Sequence, residues 1–202
     1  MKAHVAGITG ALTIALVATV GFAQSSFGET TAKPGFSAPD VVLSEAEKQQ
    51  VLRELKAKKL LMPLEKIDVE RLKGSFYETH GGSQHKAVDI LSPRNTPIHA
   101  VEDGTIARLF ESRLGGHTIY EIDPSTRFVY YYAHLESYAD GLKDGDAVKK
   151  GQVIGYVGTS GNAPPNTPHL HFSIGVMGPK KQTWKTFDID PYEVYAAGAA
   201  SH

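Results

Sequence analysis

The chain has 202 residues, with 21 Lys+Arg against 22 Asp+Glu, nine His and no Cys. That length holds one domain of the usual ~100–150 residues plus flanking segments, and 41% hydrophobic with 21% charged residues is the composition of a folded protein. A formal net charge of −1 gives no electrostatic ground for binding nucleic acid, and the lack of Cys excludes disulfides, thiolate metal sites and cysteine nucleophiles, so any metal has to be held by His and carboxylates.

Lys2 precedes an apolar run over residues 5–20, and Gly21-Phe22-Ala23 sets small residues just before a possible cut ahead of Gln24. A charged start, an apolar middle and a small-residue exit predict a secretory signal over residues 1–23. The alternative is a retained anchor, since residues 3–23 are just long enough to span a membrane. The expected location is periplasmic or extracellular, with no stable membrane partner unless that anchor is kept.

Residues 24–40 are rich in Ser, Thr, Gly, Ala and Pro, too poor in large apolar side chains for a core, and read as a linker. Ser44 with Glu47 three residues on makes a capping box. Val51, Leu52 and Leu55 then fall at helical spacing, so an amphipathic helix is expected over 44–61, stopped by Pro63. Linker and helix together occupy 24–63. Arg53, Lys56, Lys58 and Lys59 are expected on its solvated face rather than against an anionic surface.

A β domain is expected over 64–195, followed by a tail at 196–202. Turn signals recur at Gly81-Gly82, Asp103-Gly104, Gly115-Gly116, Asp123-Pro124, Asp140-Gly141, Asp144-Gly145 and Ser160-Gly161-Asn162. Between them lie strand-like runs at 88–91, 105–110, 118–122, 128–134, 153–157 and 170–174. Short strands punctuated at this rate predict a mainly β protein, an antiparallel sheet or sandwich.

The chemistry-bearing residues all fall in this region. In His169-Leu170-His171 the two imidazoles sit at i and i+2 of a strand, so both point to one face. The plain alternative is two exposed histidines on a solvated face. His85-Lys86-Ala87-Val88-Asp89 offers a second pair at i and i+4, which in an extended strand would be about 13 Å apart. Sharing one ion therefore needs a bend at His85, made plausible by Gly81-Gly82-Ser83-Gln84 just upstream. Asp89 opens an apolar strand and needs a partner if buried, either a metal or backbone donors. His134 closes the run Phe128-Val129-Tyr130-Tyr131-Tyr132-Ala133-His134, where simple alternation sets it on the face of Tyr130 and Tyr132. His4, His80, His99, His117 and His202 lie in the signal, near turns or at the end of the chain, and are not expected to be ligands.

Taken together, these segments resemble the M23 (LytM/lysostaphin-type) zinc metallopeptidases. The resemblance rests on His85…Asp89, the stretch Asp89-Ile90-Leu91-Ser92-Pro93…Thr96-Pro97-Ile98, Tyr132-Ala133-His134-Leu135, Lys150-Gly151-Gln152-Val153-Ile154-Gly155, Gly158-Thr159-Ser160-Gly161 and Pro168-His169-Leu170-His171-Phe172, all in order between about residues 72 and 192. It implies a catalytic domain of LytM type and Zn²⁺ held by His85, Asp89 and His171. It also implies His134 and His169 as the catalytic pair, and an endopeptidase that cuts peptides of cell-wall peptidoglycan. A non-catalytic relative that binds peptidoglycan or activates an amidase is the alternative the same resemblance allows. The chain departs from the pattern at Ala87, where many members have Gly, and in a longer, Pro-rich segment at 161–167 expected to reshape one rim of the cleft. The run from Val148 to Gly155 also looks like part of a biotinyl-type module, but no Lys follows at 156–162 to carry a cofactor.

Overall fold

In the computed structural model, which describes residues 42–80 and 82–196, the first element is helix α1 (Glu45–Lys58). The expected signal, the linker at 24–40 and the tail from 197 on lie outside the described residues. Ser44 starts the helix as its spacing predicts: its hydroxyl accepts the Glu47 N–H at 3.3 Å, and the Glu47 carboxylate accepts the Ser44 N–H at 2.8 Å. The helix ends before Pro63, because Lys59 turns left-handed (φ 50°) and donates its N–H to the Lys56 carbonyl. Val51 and Leu55 are fully buried in the same apolar core as the strands that follow, so the helix is built into the β domain's core. Lys58, expected on the solvated face, instead donates to Glu102 at 2.7 Å and to Asp123 at 3.1 Å. The helix axis carries it over the sheet, where two carboxylates needing a cation outweigh its hydration.

Strands β1 (Thr79–His80) and β2 (Ser83–Gln84) form a small antiparallel hairpin. The remaining strands are β3 (Val88–Leu91), β4 (Pro97–His99), β5 (Gly104–Ser112), β6 (Gly116–Ile122), β7 (Phe128–Tyr138), β8 (Ala147–Val148), β9 (Val153–Val157), β10 (His169–Met177) and β11 (Thr186–Ile189), with a short closing helix α2 (Pro191–Tyr195). They pair antiparallel in the order β11-β10-β7-β6-β5-β8, with β3 beside β10 and β9 joining β4 to β7. The fold is thus mainly β, antiparallel, with one N-terminal amphipathic helix. Among the described residues no helix is long and apolar enough to cross a membrane.

Register decides which side chains meet. Leu170, Phe172, Ile174, Tyr130 and Tyr132 are fully buried on the face that packs toward the core. His171 lies opposite Asp89 on β3 and Ala133 on β7, so the other face of β10 gathers His169, His171 and Asp89. The core face carries a polar network that the sequence pattern does not reveal. Tyr132 donates to Glu121 at 2.6 Å, Tyr130 donates to Glu102 at 2.6 Å, and Lys58 links Glu102 to Asp123. Glu121 is fully buried, and burial pushes its carboxyl up to about 8 despite the Tyr132 hydroxyl, so it is neutral at pH 7.

Candidate active site

Asp89 and His171 face each other because β3 and β10 pair in that register. His85 joins them from outside the sheet. The chain leaves the β1–β2 hairpin, where Gly82 has φ 87°, and bends again at Lys86, which is left-handed (φ 56°), before β3 begins. The bend expected at His85 is therefore present, and its pivot is Lys86 as well as the glycine turn. His85 Nε2 lies 3.1 Å from Asp89 Oδ1 and 3.1 Å from His171 Nδ1, and His171 Nδ1 lies 3.0 Å from the same Asp89 oxygen. These three residues form a group able to hold a metal ion.

The chemistry of the set can be tested on the structure. His85 Nδ1 is 3.0 Å from the Ser75 carbonyl, so a neutral His85 donates there and leaves Nε2 as a bare lone pair aimed at the other two atoms. Three acceptor atoms then converge, and a single proton on His171 would satisfy only one edge of the triangle. A cation satisfies all three. In tetrahedral zinc sites with bonds of 2.0–2.1 Å, ligand atoms stand about 3.3 Å apart, close to the triangle found here. The titration tendencies agree. Burial alone would raise the Asp89 carboxyl, yet the imidazoles of His171 and His85 set against it hold it far below its usual range. Burial would lower His85, yet Asp89 raises it, so this corner of the site attracts positive charge. His171 is lowered by its burial.

His134 reaches this site against its expected alternation. Alternation would send it to the core with Tyr130 and Tyr132; its ring lies instead 4.9 Å from that of His169 and 5.6 Å from that of His171. The cause is a break in the β6–β7 register between His117 and Ile119, where His134 adopts φ 63°. An extra residue in one strand redirects the side chains beyond it, and here it turns His134 toward His169 and His171. His134 Nδ1 is 2.9 Å from the Ser160 carbonyl and His169 Nδ1 is 2.8 Å from the Thr167 carbonyl. Each neutral ring donates at Nδ1 and keeps Nε2 free to take a proton. Burial lowers His134 to about 4, so at neutral pH it is an uncharged base. His169 Nε2 stands 3.8 Å from Asp89 Oδ2, placing it against the donor triangle.

Five sequence-selected residues, His85, Asp89, His134, His169 and His171, therefore share one site. His99 bonds the Gly151 carbonyl and His117 packs on Tyr138; neither belongs to it. Ala87, between His85 and Asp89 in the chain, is buried, and the Pro-rich segment ends at Thr167, the residue that anchors His169. What the sequence did not disclose are the acceptors Ser75, Ser160 and Thr167, since backbone carbonyls leave no side-chain signature.

Residues 83–183, half of the chain, match the family model described as peptidase family M23. An L-Ala–D-Glu endopeptidase of Bacillus subtilis is 36% identical over 114 residues, covering 54% of this chain and 33% of that protein. The peptidoglycan DD-endopeptidase ShyC of Vibrio cholerae is 34% identical over 94 residues, covering 46% of this chain and 21% of that protein. The chain thus spans a third or less of the length of these relatives. Among solved structures, the catalytic domain of the antimicrobial peptidase lysostaphin from Staphylococcus simulans superposes with a TM-score of 0.50 at 30% identity, covering 62% of this chain and 94% of that domain.

Proposed function

The chain belongs to peptidase family M23, and on that premise we propose that it is a zinc-dependent endopeptidase, acting outside the cytoplasm, that hydrolyses peptide bonds in bacterial cell-wall peptidoglycan. The observation that carries this reading is the convergence of three metal-type donor atoms at 3.0–3.1 Å with two histidines tethered at Nδ1 beside them. The relatives named for peptidoglycan bonds support the substrate class. The signal-like residues 1–23 support export.

In this reading His85 through Nε2, His171 through Nδ1 and Asp89 through Oδ1 hold the ion, and three protein ligands leave one position open. When bound, zinc supplies a Lewis acid and lowers the pKa of water to about 7. The chain's own residues do the rest. His134, uncharged at neutral pH and held through Ser160, takes up a proton at Nε2 and can return it to the leaving amine. His169, held through Thr167, directs its Nε2 at the same space, where it accepts a hydrogen bond from the attacking water and, once it has taken a proton from that water, donates to the developing oxyanion. Ser75, by accepting from His85 Nδ1, fixes the tautomer that binds the ion.

The test separates binding from turnover. Asp89→Ala and His171→Ala should lose bound zinc, measured by metal analysis after dialysis, together with hydrolysis. His134→Ala should keep its zinc while kcat on peptidoglycan fragments falls roughly 10²- to 10⁴-fold. Near-normal hydrolysis by His134→Ala would remove it from the catalytic role, and full activity in Asp89→Ala would overturn the metal site.

A further inference from the structure

One side chain sits in the register break that delivers His134. His117 and Leu135 are partners across β6 and β7, yet the Ser160 hydroxyl bridges their backbones, accepting the His117 N–H at 3.0 Å and donating to the Leu135 carbonyl at 2.6 Å. The carbonyl of the same Ser160 takes His134 Nδ1 at 2.9 Å. Around this point the β5–β6 turn and the β9–β10 loop are locked together. The His134 N–H donates to the Gly115 carbonyl at 2.8 Å and the Asn162 N–H to the Leu114 carbonyl at 2.9 Å. Gly116 is left-handed (φ 64°), and a Cβ there would lie 2.2 Å from Ser160 Oγ, so only glycine lets the two backbones approach this closely.

We propose that Ser160 is a positioning residue for His134, its hydroxyl wedging β6 and β7 apart so that the ring faces the donor triangle while its carbonyl fixes the ring's tautomer. Both ends of the His134 geometry, the left-handed backbone and the Nδ1–H bond, depend on this residue. A left-handed non-glycine residue is strained and persists only where its surroundings hold it. Without the hydroxyl, the His117 N–H and the Leu135 carbonyl lose their shared partner, and closing the ladder between them draws His134 back toward simple alternation. The proposal rests on the reading of His134 as catalytic.

The experiment compares Ser160→Ala, Ser160→Thr, Ser160→Cys and His134→Ala in the full chain. It measures kcat and KM on peptidoglycan fragments, zinc content, and the ¹⁵N imidazole signals of His134 in the zinc-free protein. Ser160→Ala is expected to lower kcat roughly ten- to a hundredfold, the scale of losing an orienting partner, with KM and zinc content unchanged. Its His134 signals should shift from one Nδ1-protonated tautomer to a mixture. Ser160→Thr, which keeps the hydroxyl, should restore both. If Ser160→Ala does not fold, Ser160→Cys, with its weak and longer donor, should show the same changes to a smaller degree. Wild-type kcat in Ser160→Ala or Ser160→Cys, while His134→Ala is inactive, overturns this proposal and leaves the catalytic reading intact. A lowered kcat with an unchanged His134 tautomer overturns it too. Activity in His134→Ala instead removes the catalytic reading on which it rests.

Discussion

At His134 the side chain proposed to be catalytic occupies a backbone conformation that disfavours it. At φ 63° glycine would be at ease and histidine is not. His134→Gly should therefore be more stable than His134→Ala by about 1 kcal/mol, read from thermal or urea unfolding, although neither supports turnover. Equal stability of the two variants would mean that the bulge carries no strain. This is also where sequence reading reached its limit. His169 and His171 could be assigned to one face because a strand repeats every two residues. The face of His134 could not, because the bulge that turns it is set by Ser160, 26 residues further on. The bend at His85 was legible as a need, since an extended chain would separate it from Asp89, but its pivot at Lys86 has no signal in composition.

Glu121 poses a second question at the same scale. Its carboxyl is raised from an ordinary 4.5 to about 8, first by burial. Between those values the folded state holds a proton that the unfolded chain has released, so Glu121's contribution to stability is complete below about pH 4.5 and is lost as pH rises through about 8. Glu121→Gln, which stays neutral, should remove this dependence. The difference in Tm between wild type and variant is expected to move in the variant's favour as pH rises across that window. A constant difference would place the Glu121 carboxyl near its usual range in the folded protein.

At the level of elements, α1 belongs to the domain's core. Leu55 is fully buried among core residues, and truncating such a leucine costs about 2–5 kcal/mol. Leu55→Ala should destabilise the described domain by that amount in urea unfolding, whereas an effect below about 0.5 kcal/mol would mean the helix docks loosely. The capping box, the apolar spacing and the helical stretch were all readable from residues 44–61. The role of Lys58 was not. Its charge looked like solvated surface until the long-range fold brought Glu102 and Asp123, 44 and 65 residues away, within hydrogen-bond reach. A partner that distant in sequence leaves no local pattern.

Across the whole molecule, the antiparallel sheet gives the site its rigidity. Asp89 comes from β3, His169 and His171 from β10 and His134 from β7, three neighbouring strands whose register sets the spacing of the donor atoms. Only His85 arrives on irregular chain, and there the Ser75 carbonyl supplies the anchor that the sheet does not. The runs that form β3, β5, β6, β7, β9 and β10 were legible because Gly, Asp and Asn punctuate them, whereas β1, β2, β4, β8 and β11, two to four residues each, were not read as strands. The strand order was not legible, since β3, β7 and β10 meet across large sequence separations.

The most direct test of the central claim is to digest purified peptidoglycan with the full chain and identify the products by mass spectrometry, before chelation, after it, and after zinc is restored. New peptide termini should appear, vanish with chelator and return with zinc. Products indifferent to chelator, or none from walls of several chemistries, would contradict a zinc-dependent peptidoglycan endopeptidase.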